Sequence, residues 1–207
     1  MQWPVLLPIL IVIVIVLKVL DSSKTFTGFL GEQGVRSQLN RLDKSKYLVI
    51  DNLMVPRYDG NGTSQIDHVV VFRGGLAVIE TKNWAGRVYG KGGDTRWTIT
   101  LGRRKYMPEN PILQNKGHIK SLQALIGEDV PMYNIVVFTR RADLRLQDVQ
   151  GAVVIRPRQL VPTLTGARHE GLSDYQVRDI HERLLKANIT DTKARKQHVK
   201  DIKRRFT

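Results

Sequence analysis

Two runs of β-branched and apolar residues, 65–72 and 76–82, stand in the middle of the chain on either side of a glycine pair. A glycine pair between two such runs is typical of a β-hairpin. Side chains of a strand alternate between its two faces, so residues two apart share a face. This alternation predicts one shared face in each strand, the first made of Gln65, Asp67, Val69 and Val71 and the second of Leu76, Val78, Glu80 and Lys82.

The hairpin turn decides which of these side chains face each other. A two-residue turn at residues 73–74 places Asp67 opposite Glu80 and Gln65 opposite Lys82. A turn one residue later places Asp67 opposite Lys82 instead. In both cases the four polar residues share a face, and only a turn of odd length would separate them.

Two carboxylates on one face of a hairpin repel each other unless a cation or a proton lies between them. Oxygen ligands from Asp67, Glu80 and the carbonyl of Thr81 suit Mg²⁺ or Mn²⁺, which keep water ligands and accept phosphate oxygens. Lys82, beside such a metal, could orient or deprotonate an attacking water and offset phosphate charge. The alternative is an ordinary surface ion pair between Glu80 and Lys82.

Hydrophobic spacing elsewhere predicts helices near 28–42, 111–126, 156–164 and 173–187, and strands near 47–56, 87–89, 96–100, 133–138 and 152–155. The strand at 133–138 is apolar throughout, which is typical of a strand buried on both faces and parallel to its neighbours. Glu32 falls in the first turn of its helix, where it either belongs to a site or interacts with the helix dipole. His68 is expected to be packed or hydrogen-bonded, and His118 either assists phosphate binding or lies at the surface.

The first 17 residues carry no charged side chain, and residues 5–17 are Val, Ile and Leu except for Pro8. Extended to residue 20, this segment would span about 30 Å as a helix, roughly one hydrocarbon core. It predicts a single membrane anchor at 1–20, followed by a polar linker at 21–27. Lys18 and Lys24 follow the apolar run, so the positive-inside rule places the rest of the chain in the cytoplasm.

The chain carries 33 Lys and Arg against 19 Asp and Glu, a formal net charge of +14. Such an excess favours a polyanionic partner, either nucleic acid or an anionic membrane surface. Residues 193–207 form a basic tail of a kind that is usually disordered or solvated and could bind either partner. Cysteine is absent from the sequence, which excludes disulfides, thiolate metal sites and a cysteine nucleophile.

Three segments together resemble the nuclease-related domain (NERD) family: residues 65–68 (Gln-Ile-Asp-His), 78–83 (Val-Ile-Glu-Thr-Lys-Asn) and 110–114 (Asn-Pro-Ile-Leu-Gln). The resemblance covers roughly residues 28–138. This family is itself assigned to the PD-(D/E)xK nuclease superfamily, which implies an α/β fold with a restriction-endonuclease-like mixed sheet flanked by helices. The resemblance implies these site residues: Glu32 as the first-helix glutamate, Asp67 and Glu80 as metal ligands, Lys82 as the catalytic lysine, and Gln114 as the later glutamine.

Taken together, these patterns predict an anchor at 1–20, a linker at 21–27, a nuclease-like domain at 28–165, an amphipathic helical segment at 166–192 and a tail at 193–207. The expected function is Mg²⁺-dependent hydrolysis of phosphodiester bonds in nucleic acid, with DNA favoured over RNA, by a membrane-anchored protein. The alternative is a non-catalytic module that tethers nucleic acid or a protein to the membrane. Burial of Glu80 against a lysine or arginine would favour that module.

Overall fold

The computed structural model describes residues 31–167 and 171–205, which form both strands and helices. The strands are β1 (Leu48–Pro56), β2 (Thr63–Phe72), β3 (Gly75–Lys82), β4 (Gly86–Lys91), β5 (Thr98–Leu101), β6 (Arg104–Tyr106), β7 (Met132–Phe138), β8 (Ala142–Gln147) and β9 (Val153–Ile155). The helices are α1 (31–39), α2 (Pro111–Ile126), α3 (Pro157–Thr165), α4 (Asp174–Ala187) and α5 (Thr192–Arg205).

A five-stranded mixed sheet with the order β1-β2-β3-β7-β9 forms the centre of the fold. Strands β1, β2 and β3 pair antiparallel, whereas β7 pairs parallel with both β3 and β9. The predicted mixed α/β architecture is therefore confirmed. So is the parallel, buried strand expected near 133–138, because four of the seven residues of β7 form an unbroken run of buried apolar side chains.

Helices cover both faces of this main sheet. Leucine and valine side chains of α1 and α3 pack on one face, and those of α2 and α4 pack on the other. Removing such a side chain from water contributes about 1.5–3 kcal/mol, so the helical faces hold the layers together. The start of α2 is fixed by Asn110, whose side chain accepts a hydrogen bond from the Ile112 N–H, and by proline at the first helical position.

A second, four-stranded sheet with the order β6-β5-β4-β8 lies beside α2. Its inner face packs Val88, Ile99 and the fully buried Trp97 against Phe138 of β7. Trp97 lies so close to Gly90 that a Cβ at that glycine would come within 2.2 Å of the indole ring. Strands β4 and β5 match the predicted ones, whereas β6 and β8 were not predicted.

The predicted membrane anchor and linker lie outside the described residues. Within the described ranges, no helix has both the length and the apolar character needed to cross a membrane. The basic tail, for which disorder or solvation was expected, forms helix α5 over most of its length. This helix is held to the body by Arg195, whose guanidinium donates to the carbonyl oxygens of Ile189 and Asn52.

Candidate active site

The two strands of the central hairpin, β2 and β3, separate before either of them ends. We call the point where they separate the fork. Phe72 pairs with Gly75, so the turn consists of Arg73 and Gly74, which is the first of the two turns considered. Pairing between β2 and β3 ends at His68 and Ile79. Beyond that point β2 continues alongside β1 and β3 continues alongside β7. Asp67 and Glu80 are thus the first residues inside the fork, and the predicted pairing of Gln65 with Lys82 is wrong because the strands have separated.

The regular alternation of β2 breaks at Asp67. Ile66 packs in the same core as Val69 and Val71, so the buried face shifts by one residue between them. The pairing with β1 skips Asp67 and its neighbour Asn52, which has a φ of 53°. The prediction that Asp67 shares a simple face with Val69 and Val71 is therefore wrong, because the local backbone distortion resets the alternation.

A cleft of about 790 Å³ opens at the fork. Its lining combines residues from β2 and the end of β3 with one side of α2 and one residue of α5. The side chains that matter for its chemistry are Asp67, Lys82, Trp84, Gln114, His118 and His198. His198 belongs to the segment predicted as a basic tail, and its Nδ1 lies 2.8 Å from the hydroxyl of Thr63. The C-terminal helix therefore contributes to the cleft.

Lys82 lies between a carboxylate and an amide. Its Nζ donates to Glu80 Oε1 at 2.6 Å and to Gln114 Oε1 at 2.9 Å. Burial alone would lower the pKa of Lys82, but the charge and hydrogen bond of Glu80 outweigh it and raise the pKa. Lys82 is consequently a cation at neutral pH and donates hydrogen bonds within the cleft.

Glu80 is a buried anion, with a side chain that is 4% exposed. Burial raises the pKa of its carboxyl, but the positive charge of Lys82 and the contact with His118 outweigh burial and lower the pKa to about 2. His118 Nε2 lies 3.3 Å from Glu80 Oε2, and neither atom has a well-formed hydrogen bond among the described residues. The other ring nitrogen of His118 lies 2.6 Å from the hydroxyl of Ser64, which fixes the ring between β2 and β3.

Helix α2 is positioned over the sheet by a buried amide pair. Asn115 Nδ2 donates to the carbonyl oxygen of Val78 and to Asn134 Oδ1, and Asn134 Nδ2 donates to the carbonyl oxygen of Ile112. Because these bonds are buried, breaking one would leave an unpaired polar group at a cost of about 1–3 kcal/mol. They therefore hold Gln114 close to the end of β3.

Asp67 occupies the gap that the fork leaves in the ladder. Its Oδ2 accepts a hydrogen bond of 2.7 Å from the backbone N–H of Thr81. Burial, followed by the charge of Glu80, raises the pKa of the Asp67 carboxyl well above its usual range, and the bond from Thr81 and the charge of Lys82 offset this only in part. The two carboxylates are thus close enough for their charges to compete.

Glu32 reaches the same region from α1. The preceding Gly31 packs so closely on β3 that a Cβ there would lie 2.9 Å from the Cβ of Asn83. Partial burial raises the pKa of Glu32; His68 and Lys82 oppose this shift, and Glu80 adds to it. Glu32 is therefore near the cluster but is not among the side chains that line the cleft.

His68 is buried and hydrogen-bonded, as expected. Its Nδ1 lies 2.7 Å from Asp51 Oδ1, and the other oxygen of Asp51 lies 2.9 Å from Arg36 Nε on α1. This chain connects α1 to β1 and β2 on the side of the sheet opposite α2. His68 Nε2 is buried without a hydrogen-bond partner among the described residues.

The donor atoms at the fork suit a divalent cation of the Mg²⁺ type. Glu80 Oε2 is buried without a hydrogen-bond partner in the described part of the chain, and the charge competition between Asp67 and Glu80 would be relieved by a cation. Residues 31–167 and 171–205 contain no group of three or more His, Asp or Glu side chains arranged to hold a metal. Mg²⁺ in proteins is often held by one or two carboxylates beside several water ligands, and Asp67 and Glu80 are the two carboxylates at the fork.

The structure brings Asp67, Glu80, Lys82 and Gln114 together and places Glu32 at their edge. The backbone N–H of Thr81 donates a hydrogen bond to Asp67. The predicted role of the Thr81 carbonyl as a metal ligand stays a prediction. His118 is buried against Glu80 rather than at the surface, yet it lines the cleft, so its assistance in phosphate binding stays a prediction. This contact was not predicted, although a histidine one helical turn after Gln114 was the available signal.

These features define a mixed α/β protein with a carboxylate and lysine cluster in a cleft at a forked sheet. Residues 27–139, more than half of the chain, match the family described as "Nuclease-related domain". The chain belongs to this NERD family.

A curated relative extends the likeness beyond the family region. The chain is 33% identical over 181 residues to an uncharacterized protein of Bacillus anthracis, with 86% of this chain and 85% of that protein covered. No solved structure matches the chain.

Proposed function

We propose that the protein is a metal-dependent hydrolase of phosphodiester bonds in nucleic acid, with its active site in the cleft at the fork. The observation that carries the proposal is the position of Lys82, a buried cation held by Glu80 and Gln114 at the wall of an open cleft that also contains Asp67. Membership of the nuclease-related domain family and the net charge of +14 support a polyanionic substrate. DNA is favoured over RNA.

Asp67 and Glu80 would hold a divalent cation such as Mg²⁺ or Mn²⁺, which supplies Lewis-acid polarisation and a more acidic bound water. Lys82, which is protonated, would orient the attacking water and offset charge on the phosphate rather than accept a proton in its resting state. Gln114 keeps the ammonium of Lys82 directed into the cleft. Glu32 lies where its charge acts on Asp67 and therefore on the affinity of that carboxylate for a cation.

A decisive experiment incubates the purified chain with labelled DNA and RNA, with Mg²⁺, with Mn²⁺, or with EDTA. Cleavage that requires a metal is expected, and Asp67→Asn and Lys82→Met should each lower its rate by at least about 100-fold, the usual effect of removing one stabilising group. Lys46→Met is the matched control, because Lys46 belongs to an exposed ion pair outside the cleft. Unchanged cleavage in Asp67→Asn or Lys82→Met would refute the assignment of the site.

One observation favours a second candidate, a non-catalytic module that binds nucleic acid or a protein. Glu80 is buried against Lys82, an arrangement that also serves as a structural ion pair. Binding that falls with salt, persists in Glu80→Gln and leads to no cleavage with either metal would establish this candidate instead.

We further propose that residues 1–20 anchor the protein in a membrane, with residues 21–207 in the cytoplasm. The support is the uncharged, apolar sequence up to Leu17 and the lysines that follow it. Extraction of membranes at high pH should leave the protein in the pellet. A variant that lacks residues 1–20 should be released into the soluble fraction, and release of both forms would refute the anchor.

A further inference from the structure

The second sheet has one face directed toward solvent, away from the core. Val88 of β4 is fully buried, so its neighbours Arg87 and Tyr89 face outward. Cross-strand pairing extends this outward face over all four strands. The residues that share it are Arg87, Tyr89, Thr98, Thr100, Lys105, Asp143 and Arg145.

The centre of this face combines an aromatic ring with basic side chains. Tyr89, which is 40% exposed, is paired with Arg145 of β8 on one side and with Thr98 of β5 on the other. Arg87 lies two residues away on the same strand, and Thr100, its partner, pairs in turn with Lys105. A ring flanked by cations on an exposed sheet is suited to stack on an unpaired base while the cations bind the phosphates beside it.

Asp143 is the acidic residue among these cations, and its ion pairs leave the arginines available. Arg145 Nη2 lies 3.2 Å and Arg87 Nε lies 3.9 Å from the same oxygen of Asp143. Both arginine side chains are more than 60% exposed, so these pairs contribute little and a phosphate can compete for the guanidinium groups.

The second sheet adjoins the cleft at two points. Trp84 lines the cleft two residues before β4 begins, and Pro108 and Glu109 line it just after β6 ends. Short segments of chain at 84–85 and 107–109 thus join the second sheet to residues that line the cleft.

We propose that the exposed face of the second sheet binds single-stranded nucleic acid, with Tyr89 stacking on one base and Arg87, Lys105 and Arg145 binding phosphates. Single strands are the class of substrate that this face selects, because the bases of a duplex are stacked on each other and out of reach of an aromatic side chain. The inference rests on the proposed function in one respect, that the strand bound here is the one presented to the cleft.

The test measures fluorescence anisotropy of a labelled oligothymidine of about 15 nucleotides, and of a duplex of the same length, with the full chain in detergent. EDTA is present throughout, so cleavage plays no part and a failure of the nuclease proposal leaves the outcome unaffected. Tyr89→Ala should weaken single-strand binding about 5- to 150-fold, while Tyr89→Phe, which keeps the ring, should stay within about twofold of the parent. Duplex binding should change by less than about twofold in both.

Tyr175→Ala is the matched control, because Tyr175 is a more exposed tyrosine on α4. A separate arm replaces Arg87, Lys105 and Arg145 by Gln. It should lower the slope of log affinity against log salt by about 2, since each phosphate contact on a single strand contributes about 0.7. The same change at Arg41, Lys44 and Lys46, exposed cations after α1, should leave the slope unchanged.

Several outcomes would overturn the inference. Tyr89→Ala could behave like Tyr175→Ala, Tyr89→Phe could lose as much affinity as Tyr89→Ala, or the loss could be equal on the duplex. Circular dichroism of each variant checks the fold, and the charge arm decides the matter should Tyr89→Ala fail to fold. An unchanged salt slope in that arm would also reject the phosphate contacts.

Discussion

Replacing Lys82 by Met tests whether the ion pair at the fork stabilises the fold. The substitution keeps a side chain of similar length and removes its charge. It leaves Glu80, whose side chain is 4% exposed, without the ammonium group that lies 2.6 Å away. Removing one partner of a buried pair costs about 3–5 kcal/mol, because the remaining charge is left in a medium that does not solvate it. We expect a loss of this size in the free energy of unfolding at neutral pH, measured by urea denaturation.

Lys46→Met provides the same substitution in an exposed pair. Lys46 Nζ lies 3.7 Å from Asp43, and the two side chains are 73% and 52% exposed. Exposed pairs contribute about 0–1 kcal/mol, so this variant should lose little. The double variant Lys82→Met/Glu80→Gln should regain most of the loss, because it removes the stranded charge as well.

The effect of Lys82→Met should depend on pH in a defined direction. In the parent protein the pKa of Glu80 is lowered from 4.5 to about 2, so its contribution to stability is complete above 4.5 and is lost as the pH falls toward 2. Without Lys82, burial, which raises the pKa of Glu80, is opposed mainly by His118, so the carboxyl takes up a proton at a higher pH than in the parent and the stranded charge disappears. The difference between variant and parent should therefore shrink between neutral pH and about pH 4. A loss no larger than that of Lys46→Met, or one independent of pH, would refute this account.

Two further predictions concern the neighbouring carboxylate and the second sheet. Asp67→Asn should raise the free energy of unfolding at neutral pH by on the order of 1 kcal/mol, because burial and Glu80 disfavour the ionised form. The gain should vanish below pH 3.8, the ordinary pKa of aspartate, because the carboxyl is then protonated in both the folded and the unfolded state. Urea denaturation at neutral pH and below pH 3.8 checks this. A loss of stability at neutral pH would contradict it. Gly90→Ala should cost about 1–3 kcal/mol, since its Cβ would meet Trp97 at 2.2 Å. Gly93→Ala, with nothing within 4 Å of the new Cβ, should melt within a few degrees of the parent, and equal melting temperatures for the two variants would contradict the steric argument.

The parts of the fold that follow from local chemistry were predictable from the sequence. Glycine and β-branched runs predicted the hairpin, and hydrophobic spacing predicted α2 with both of its ends. Strand β8 was not predicted, although residues 142–147 alternate between apolar and polar side chains. Its apolar residues pack on the core of the second sheet while Asp143 and Arg145 face solvent, which is the period-two signal of a half-buried strand.

The parts of the site that depend on long-range contacts could not be predicted in the same way. No sequence pattern specifies that the alternation of β2 resets at Asp67, because the reset involves the left-handed φ of Asn52 on the adjacent strand. The contact of His118 with Glu80 depends on where α2 crosses the sheet, and buried amides of Asn115 and Asn134 set that position. Spacing within a helix places His118 on the same side as Gln114, but it does not say what that side faces.

A forked sheet explains why the same cluster suits both a structural and a catalytic role. Where β2 and β3 separate, their backbone groups lose ladder partners, and polar side chains must supply replacements, as Asp67 does for the N–H of Thr81. The ammonium of Lys82 and Oε1 of Glu80 form an ion pair inside the fork and so stabilise it, whereas Asp67 is held where burial and a like charge oppose its ionisation. A pair that contributes stability is accounted for by the fold alone. A carboxylate that reduces stability is instead explained by a ligand that needs its charge. If Lys82→Met lowers the free energy of unfolding and Asp67→Asn raises it, Asp67 is the residue that serves binding or catalysis rather than folding.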